Sequence, residues 1–195
     1  MNKFYDKLKK ATVGIAGLGG LGSTVAVALA RTAVGNLIIA DFDTVEKSNL
    51  NRQHYFINQL GEYKTDAMIE NLKQINPQVK VKGYKQKLTG ENIPEIFADA
   101  DIIAECFDKA EQKKMLVETV LTKMERVVVV TVSGLAGYGR SNEIITRRIS
   151  NRLVVIGDGR SGTDLNLPLT AGRVWLAASH QANAIVEILV DEIIK

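Results

Sequence analysis

The stretch GLGGLG sets Gly17, Gly19, Gly20 and Gly22 between a short apolar run and a helix-length segment of small residues. A turn free of side chains at a helix start lets backbone N–H groups close on a phosphate at the positive end of the helix dipole. The competing reading is a tight strand-to-helix turn that binds nothing. Asp41 stands about 19 residues beyond Gly22, at the end of the next apolar run, where a carboxylate accepts hydrogen bonds from ribose hydroxyls. Together these signals point to a nucleotide with a free ribose and leave its identity open.

NLNRQ adds Asn49, Arg52 and Gln53, and GEYKTD adds Lys64 at the head of another helical segment. A dinucleotide's pyrophosphate needs little beyond the glycine turn and the helix end, whereas a reacting triphosphate needs its developing charge neutralised. Solvated surface charge is the other reading of Arg52 and Lys64. Asp108 also has two readings. It can ligate Mg²⁺, which bridges phosphate oxygens and takes one or two carboxylates, or it can pair with Glu111 as a helix cap. Cys106, the one cysteine, ends an apolar run and reads as a small buried hydrophobe. His54 and His180 lack a second His or Cys at metal-ligand spacing, and His180 reads as a hydrogen-bonded packing residue.

Such residues need a scaffold that gathers them at one edge. The apolar runs 12–17, 36–41, 101–106 and 126–133 have strand length, and their continuity fits strands covered on both faces. Helical segments at 21–33, 64–75, 91–98 and 109–125 alternate with them. The pattern predicts an α/β fold, a Rossmann-like, doubly wound, mostly parallel sheet whose ligands bind at the carboxyl ends of the strands. Residues 79–84 alternate in polarity and read as an edge strand, after a helix stopped by Pro77. Beyond Ser133, glycines punctuate short alternating strands, a C-terminal β elaboration with a mobile loop over 157–172, and 173–195 closes the chain as a helix. Residues 1–195 thus read as one domain: an N-terminal segment 1–11, a nucleotide-binding core 12–133 and the elaboration 134–195.

With 195 residues, 46% of them apolar, the chain can bury one core but not a cofactor domain plus a large substrate domain. The formal charge of +3 is small and its basic residues are scattered, so no nucleic-acid partner is expected. The first 20 residues contain neither a signal peptide's apolar centre nor a membrane span, which reads as a cytoplasmic protein with no membrane partner. A single cysteine allows neither an intrachain disulfide nor a Cys-based four-ligand zinc site, so no structural zinc is expected.

In this order GLGGLG, VGNLIIADFDTVEKSNLNRQ, GEYKTDAM, INP and ECFD resemble the adenylyltransferases related to ubiquitin-activating enzymes, the ThiF/MoeB group. The later stretches SGLAGYGRSNEIITRRI, GDG and ASHQANAIVEILV resemble in particular the short form assigned to thiamine biosynthesis. The likeness runs from Thr12 through nearly the whole chain. It implies ATP and Mg²⁺, a homodimer, and a small ubiquitin-like sulfur carrier protein whose C-terminal Gly-Gly carboxylate is adenylated with release of pyrophosphate. Carried over residue by residue, it implies that Asp41 holds the ribose, that Asn49, Arg52 and Lys64 hold the triphosphate, and that Asp108 binds Mg²⁺.

The sequence departs from the family pattern in three places. Longer members carry paired CxxC zinc ligands, and many carry a cysteine that takes up the activated carrier; this chain has Cys106 alone. The family commonly lends an arginine from the partner's N-terminal segment, whereas residues 1–11 hold Lys3, Lys7, Lys9 and Lys10 and no arginine. Arg140, Arg147, Arg148, Arg152 and Arg160 either face an acidic carrier or are solvated charges. Two rival functions remain: a non-catalytic nucleotide- or carrier-binding module, and an NAD-dependent oxidoreductase.

Overall fold

The continuous apolar runs become strands because helices cover both faces of one sheet. A computed structural model of the chain describes residues 3–162 and 166–191. Its first element is a helix, α1 (Lys3–Lys10), followed by β1 (Thr12–Ala16), α2 (Gly20–Arg31) and β2 (Asn36–Ala40). After a long crossover come α3 (Lys64–Ile75), β3 (Lys80–Tyr84), the short α4 (Ile93–Ile96), β4 (Ile102–Glu105), α5 (Ala110–Lys123) and β5 (Val128–Val132). Then β6 (Ile145–Ser150), β7 (Leu153–Gly157) and α6 (Ala171–Asp191) complete the described chain.

The seven strands run in the order β3-β2-β1-β4-β5-β7-β6. All neighbours pair in parallel except β6 with β7. The fold is the doubly wound, mostly parallel α/β sheet expected from the sequence. The hairpin β6–β7 is no separate layer, since β7 lies parallel to β5 and extends the main sheet. Its strand β7 is apolar throughout and largely buried, while β6 is the polar outer edge, as is β3 with its lysines at the opposite edge; charged edges discourage pairing with other chains.

Two apolar layers sandwich the sheet. One side packs Leu8 of α1, Val25 and Leu29 of α2, Met68 and Leu72 of α3, and Ile185 of α6 against β1, β2, β4 and β5. On the other side Ile93, Phe97, Leu116 and Val120, carried by α4, α5 and the residue after α4, cover Ile38, Ile103 and Val129. The N-terminal helix was not signalled by an apolar run. It follows from Phe4 and Leu8, four residues apart on one helical face, with Leu8 fully buried. At the end of α3, Asn76 adopts φ −147° and ψ 98°, as proline at the next position demands.

β1 sits between β2 and β4, where successive crossovers pass to opposite sides. A crevice therefore opens at the carboxyl ends of these strands, the place where open α/β sheets bind ligands. The expected mobile loop includes residues 163–165, which lie outside the described residues; so do 192–195, the end of the expected closing helix. The loop's described ends are tied back: Leu135 and Ala136 N–H donate to Ser161 O, and Gly137 N–H donates to Pro168 O at 2.7 Å.

Candidate active site

The glycine turn is built between β1 and α2. Gly17 has φ +92°, which favours glycine, and a Cβ on Gly22 would stand 1.8 Å from Gly17 O. These two glycines let the turn close on itself. A Cβ on Gly19 would meet only the Gln53 amide nitrogen, at 3.8 Å, so the space before the N-terminus of α2 is open. The turn is also pinned: Leu18 N–H donates to Asp41 Oδ2 at 2.6 Å, and the Tyr55 hydroxyl donates to Leu18 O at 2.9 Å.

In front of this turn lies a cavity of about 750 Å³. Gly17, Gly19, Gly20, Asp41, Asn49, Arg52, Gln53, Lys64 and Asp108 all line it. Of the residues singled out in the sequence for this site, Gly22 alone stands behind the wall, acting through the turn.

Asp41 directly follows β2, and its Oδ1 accepts the Asp43 N–H at 2.8 Å. Burial raises its pKa, opposed by the Lys64 charge and by the N–H groups of Asp43 and Leu18. A carboxylate has about four acceptor positions, so two backbone donors leave capacity for hydroxyls. Tyr55 behind it is pushed well above its ordinary value by burial and by the charges of Asp41 and Asp43, so it remains a hydrogen-bond donor at neutral pH.

Lys64, in the first turn of α3, is buried, and its Nζ lies 2.9 Å from Asp43 Oδ2. Asp43 escaped the sequence reading; its signal was the DFD spacing, which returns a second carboxylate to the same side of the chain two residues beyond Asp41. Arg52 faces no carboxylate among the described residues. Its Nη1 donates to Asn51 Oδ1 at 2.8 Å and to Ser48 O at 3.1 Å. Asn49 uses its Oδ1 to accept the Glu46 N–H at 3.0 Å, which shapes the loop and leaves its amide NH₂ group. Gln53 is 7% exposed and its buried Oε1 has no hydrogen-bond partner. A buried carbonyl oxygen without a donor is costly, so a donor from water or from a bound group would complete this wall.

Asp108 is exposed at the rim. The helix-cap reading fails: Lys109 occupies the N-cap of α5, and no side-chain hydrogen bond caps that helix. Among the described residues no three His, Cys, Asp or Glu side chains converge on a common point. A cation at Asp108 would therefore share its coordination with oxygens of the bound molecule, the arrangement typical of Mg²⁺.

Beneath the cavity, Glu105 is fully buried and binds Lys113 Nζ at 3.0 Å, Thr131 Oγ1 at 2.5 Å and the Phe107 N–H at 2.7 Å. Its charge is matched by an ion pair and two donors, which locks β4, β5 and α5 together. Neighbouring Cys106 is buried, and burial together with the Glu105 charge pushes its thiol far above the ordinary range. It behaves as the packing residue expected. His180 Nδ1 lies within hydrogen-bond distance of Thr146 Oγ1, at 3.1 Å, and ties α6 to β6.

The other half of the cavity is small and apolar, lined by Gly134, Leu135, Ala136, Ser161, Gly162 and Leu169. Sequence reasoning placed an elaboration here but named no residues for it. Asp158 organises this wall. Its carboxylate accepts the N–H groups of Arg160 and Ser161, each at 2.8 Å, and the Ser161 hydroxyl, and it pairs with Arg173 at 2.5 Å. Burial works against its charge, but these donors outweigh it and hold the carboxyl well below the usual range.

The arginines of the elaboration divide in function. Arg152 turns inward and donates to four backbone carbonyls around the C-terminus of α5. Arg160 pairs with Glu143 at 3.5 Å. Arg140 is in a left-handed conformation, φ +47°, at the N-cap of a short 3₁₀ turn.

With this geometry in place, sequence comparison is decisive on family. Residues 1–153 match the sequence model of the ThiF family. The chain belongs to the ThiF family. Among its relatives, the adenylyltransferase and sulfurtransferase uba4 of Aspergillus clavatus is 43% identical over 115 residues, 58% of this chain and 23% of that protein. The ubiquitin-like modifier-activating enzyme 5 of Arabidopsis thaliana is 39% identical over 85 residues, 44% of this chain and 20% of its own length. This ThiF-family chain thus spans less than a quarter of the length of these two relatives. Among solved structures, the E. coli tRNA N6-threonylcarbamoyladenosine dehydratase TcdA in complex with AMP superposes with a TM-score of 0.88 at 19% identity, covering 100% of this chain and 92% of TcdA. The same protein has also been solved with ATP. E. coli MccB superposes with a TM-score of 0.74 at 21% identity, over 97% of this chain and 59% of MccB. At such identities the likeness establishes the fold, and it agrees with the architecture described above.

Proposed function

We propose that this ThiF-family chain is an ATP-dependent adenylyltransferase that activates the C-terminal Gly-Gly carboxylate of a small ubiquitin-like sulfur carrier protein, in thiamine biosynthesis, and releases pyrophosphate. The observation that carries this reading is a single cavity with two unlike halves. One is a glycine turn ringed by Arg52, Lys64 and Asp108; the other is a slot of small and apolar residues that suits an extended glycine-rich tail. The name of uba4 includes an adenylyltransferase, and TcdA has been solved with AMP and with ATP.

The chemistry asks little of the protein beyond position and charge. An α-carboxyl group has a pKa of about 3.5, so the nucleophile is ionised at neutral pH and needs no general base. One carboxylate oxygen attacks the α-phosphorus, a new O–P bond forms, and the bond to the departing pyrophosphate breaks. Holding the two groups in line and neutralising charge on the leaving group are the catalytic tasks. Asp41 takes the ribose, Asn49 and Gln53 contribute amide contacts, and Arg52 and Lys64 neutralise the phosphates. Asp108 would hold Mg²⁺, which would supply further positive charge to neutralise the phosphates. Cys106 is buried and its thiol is pushed well above the ordinary range, so the proposal assigns it no covalent carrier linkage. We extend the reading to a homodimer, in which exposed apolar residues such as Phe56 and Ile57 find cover.

Exchange of labelled pyrophosphate into ATP, with Mg²⁺ and candidate carriers ending in Gly-Gly, tests the proposal. Exchange should require a carrier and fall by roughly two to three orders of magnitude in Arg52→Ala. ATP binding without exchange for any carrier points instead to a non-catalytic binding module.

A further inference from the structure

The start of α6 carries Arg173, Val174 and Trp175; Val174 lines the cavity and the other two reach segments around it. Arg173 Nη2 pairs with Asp158, and its Nη1 donates to Gly139 O at 2.6 Å and Arg140 O at 3.1 Å, on the apolar half. Val174 lies against the glycine turn, its Cγ1 2.8 Å from where a Cβ on Gly20 would be. Trp175 reaches the cationic loop: its indole Nε1–H donates to Arg52 O at 2.9 Å. The Trp175 ring also stacks on His54, with centroids 5.3 Å apart and planes inclined by 25°.

Arg52 has few other anchors. Among the described residues, every other hydrogen bond of Arg52 stays within residues 48–52: its N–H donates to Asn49 O, and its guanidinium donates to Ser48 O and Asn51 Oδ1. Two residues on, His54 N–H donates to Ser23 Oγ of α2 at 3.2 Å. The loop is therefore held to the rest of the fold at Arg52 by the indole and at His54 by the stack, by Ser23 and by Asn71 of α3, whose Nδ2 donates to His54 O at 3.0 Å.

We propose that Trp175 is the positioning residue for Arg52: its indole donor and its stack on His54 fix where the guanidinium meets the phosphates of the nucleotide. The inference rests on the functional reading above, in which Arg52 is a phosphate ligand. It also gives α6 a task beyond closing the core. The helix that secures the apolar half through Arg173 sets the cation of the nucleotide half two residues later.

Trp175→Phe keeps an aromatic ring over His54 and removes the N–H donor. One hydrogen bond is worth a net 0.5–1.5 kcal/mol, so ATP affinity by calorimetry should fall roughly two- to twelvefold. Affinity for adenosine, which has no phosphates, should not change, and the circular dichroism spectrum should match that of the unaltered protein. Equal losses for ATP and adenosine, or no loss for ATP, would overturn the proposal. A second measurement needs no variant, because Trp175 is the sole tryptophan. Its emission should respond to ATP and to inorganic pyrophosphate but not to adenosine; unchanged emission at an ATP concentration that calorimetry shows to be saturating overturns the proposal as well. Failure of the unaltered protein to bind ATP at all overturns the functional reading and this inference with it, whereas normal ATP binding with an unmoved ATP-to-adenosine ratio in Trp175→Phe overturns this inference alone.

Discussion

Asp108 marks the limit of spacing as a guide to a residue's role. Three residues separate it from Glu111, which suits a capping box, yet the chain enters α5 one residue later than that reading requires, and the carboxylate is left at the rim of the cavity. If it serves a cation there, Asp108→Asn should lower Mg²⁺-dependent pyrophosphate exchange by at least tenfold, with a melting temperature within about a degree of the unaltered protein. A lost cap would instead cost about 1 kcal/mol and lower the melting temperature by about 2–4 °C with little effect on exchange. Asp41, Arg52 and Lys64 were legible because their types and positions after a strand or before a helix suffice to place them at one edge. Asp43 and Asp158 were not, because a carboxylate's importance lies in its partners, Lys64 in one case and Arg173 in the other, 21 and 15 residues away along the chain.

Strands buried on both faces write themselves into a sequence as unbroken apolar runs, and β1, β2, β4 and β5 lie within the predicted spans to within two residues at either end. The features that escaped are those decided by tertiary contact. Helix α1 is too short to stand alone and forms because Leu8 has a core to enter; β7 looks like half of a local hairpin but finds β5 as its second partner. Arg152 belongs with these. In sequence it is one of several basic residues on an elaboration, but in the fold its guanidinium spans Val120 O, Leu121 O, Met124 O and Val127 O at 2.6 to 3.2 Å. The last carbonyls of a helix lack intrahelical donors and attract positive charge, so Arg152 ties the β6–β7 turn to the end of α5. Arg152→Leu should reduce the free energy of unfolding by about 2 kcal/mol in urea titrations, with ATP affinity unchanged. A matching loss of carrier-dependent exchange with stability intact would instead favour a carrier-facing role for this arginine.

At the scale of the molecule, the apolar half of the cavity is tied to α6 through the buried pair Asp158–Arg173, whose side chains are 2% and 3% exposed. Removing one member of such a pair strands the other charge, which typically costs about 3–5 kcal/mol, so Arg173→Leu should destabilise the whole fold and not the apolar wall alone. The pair also sets a direction for acid sensitivity. Unfolded, Asp158 takes up a proton near pH 3.9; folded, its carboxyl is held well below the usual range, so between these points the unfolded chain binds more protons. Stability from this residue is therefore complete above about pH 5 and drains away as the pH falls through 3.9 toward the folded value. Asp158→Asn removes that titration. Compared by thermal melts, the unaltered protein should be the more stable at pH 7, and the gap between the two should narrow steadily below about pH 4. A gap that stays constant down to pH 3 would mean that the donors around Asp158 hold its neutral form as well as its anion, and that the Arg173 charge does not secure this wall of the cavity.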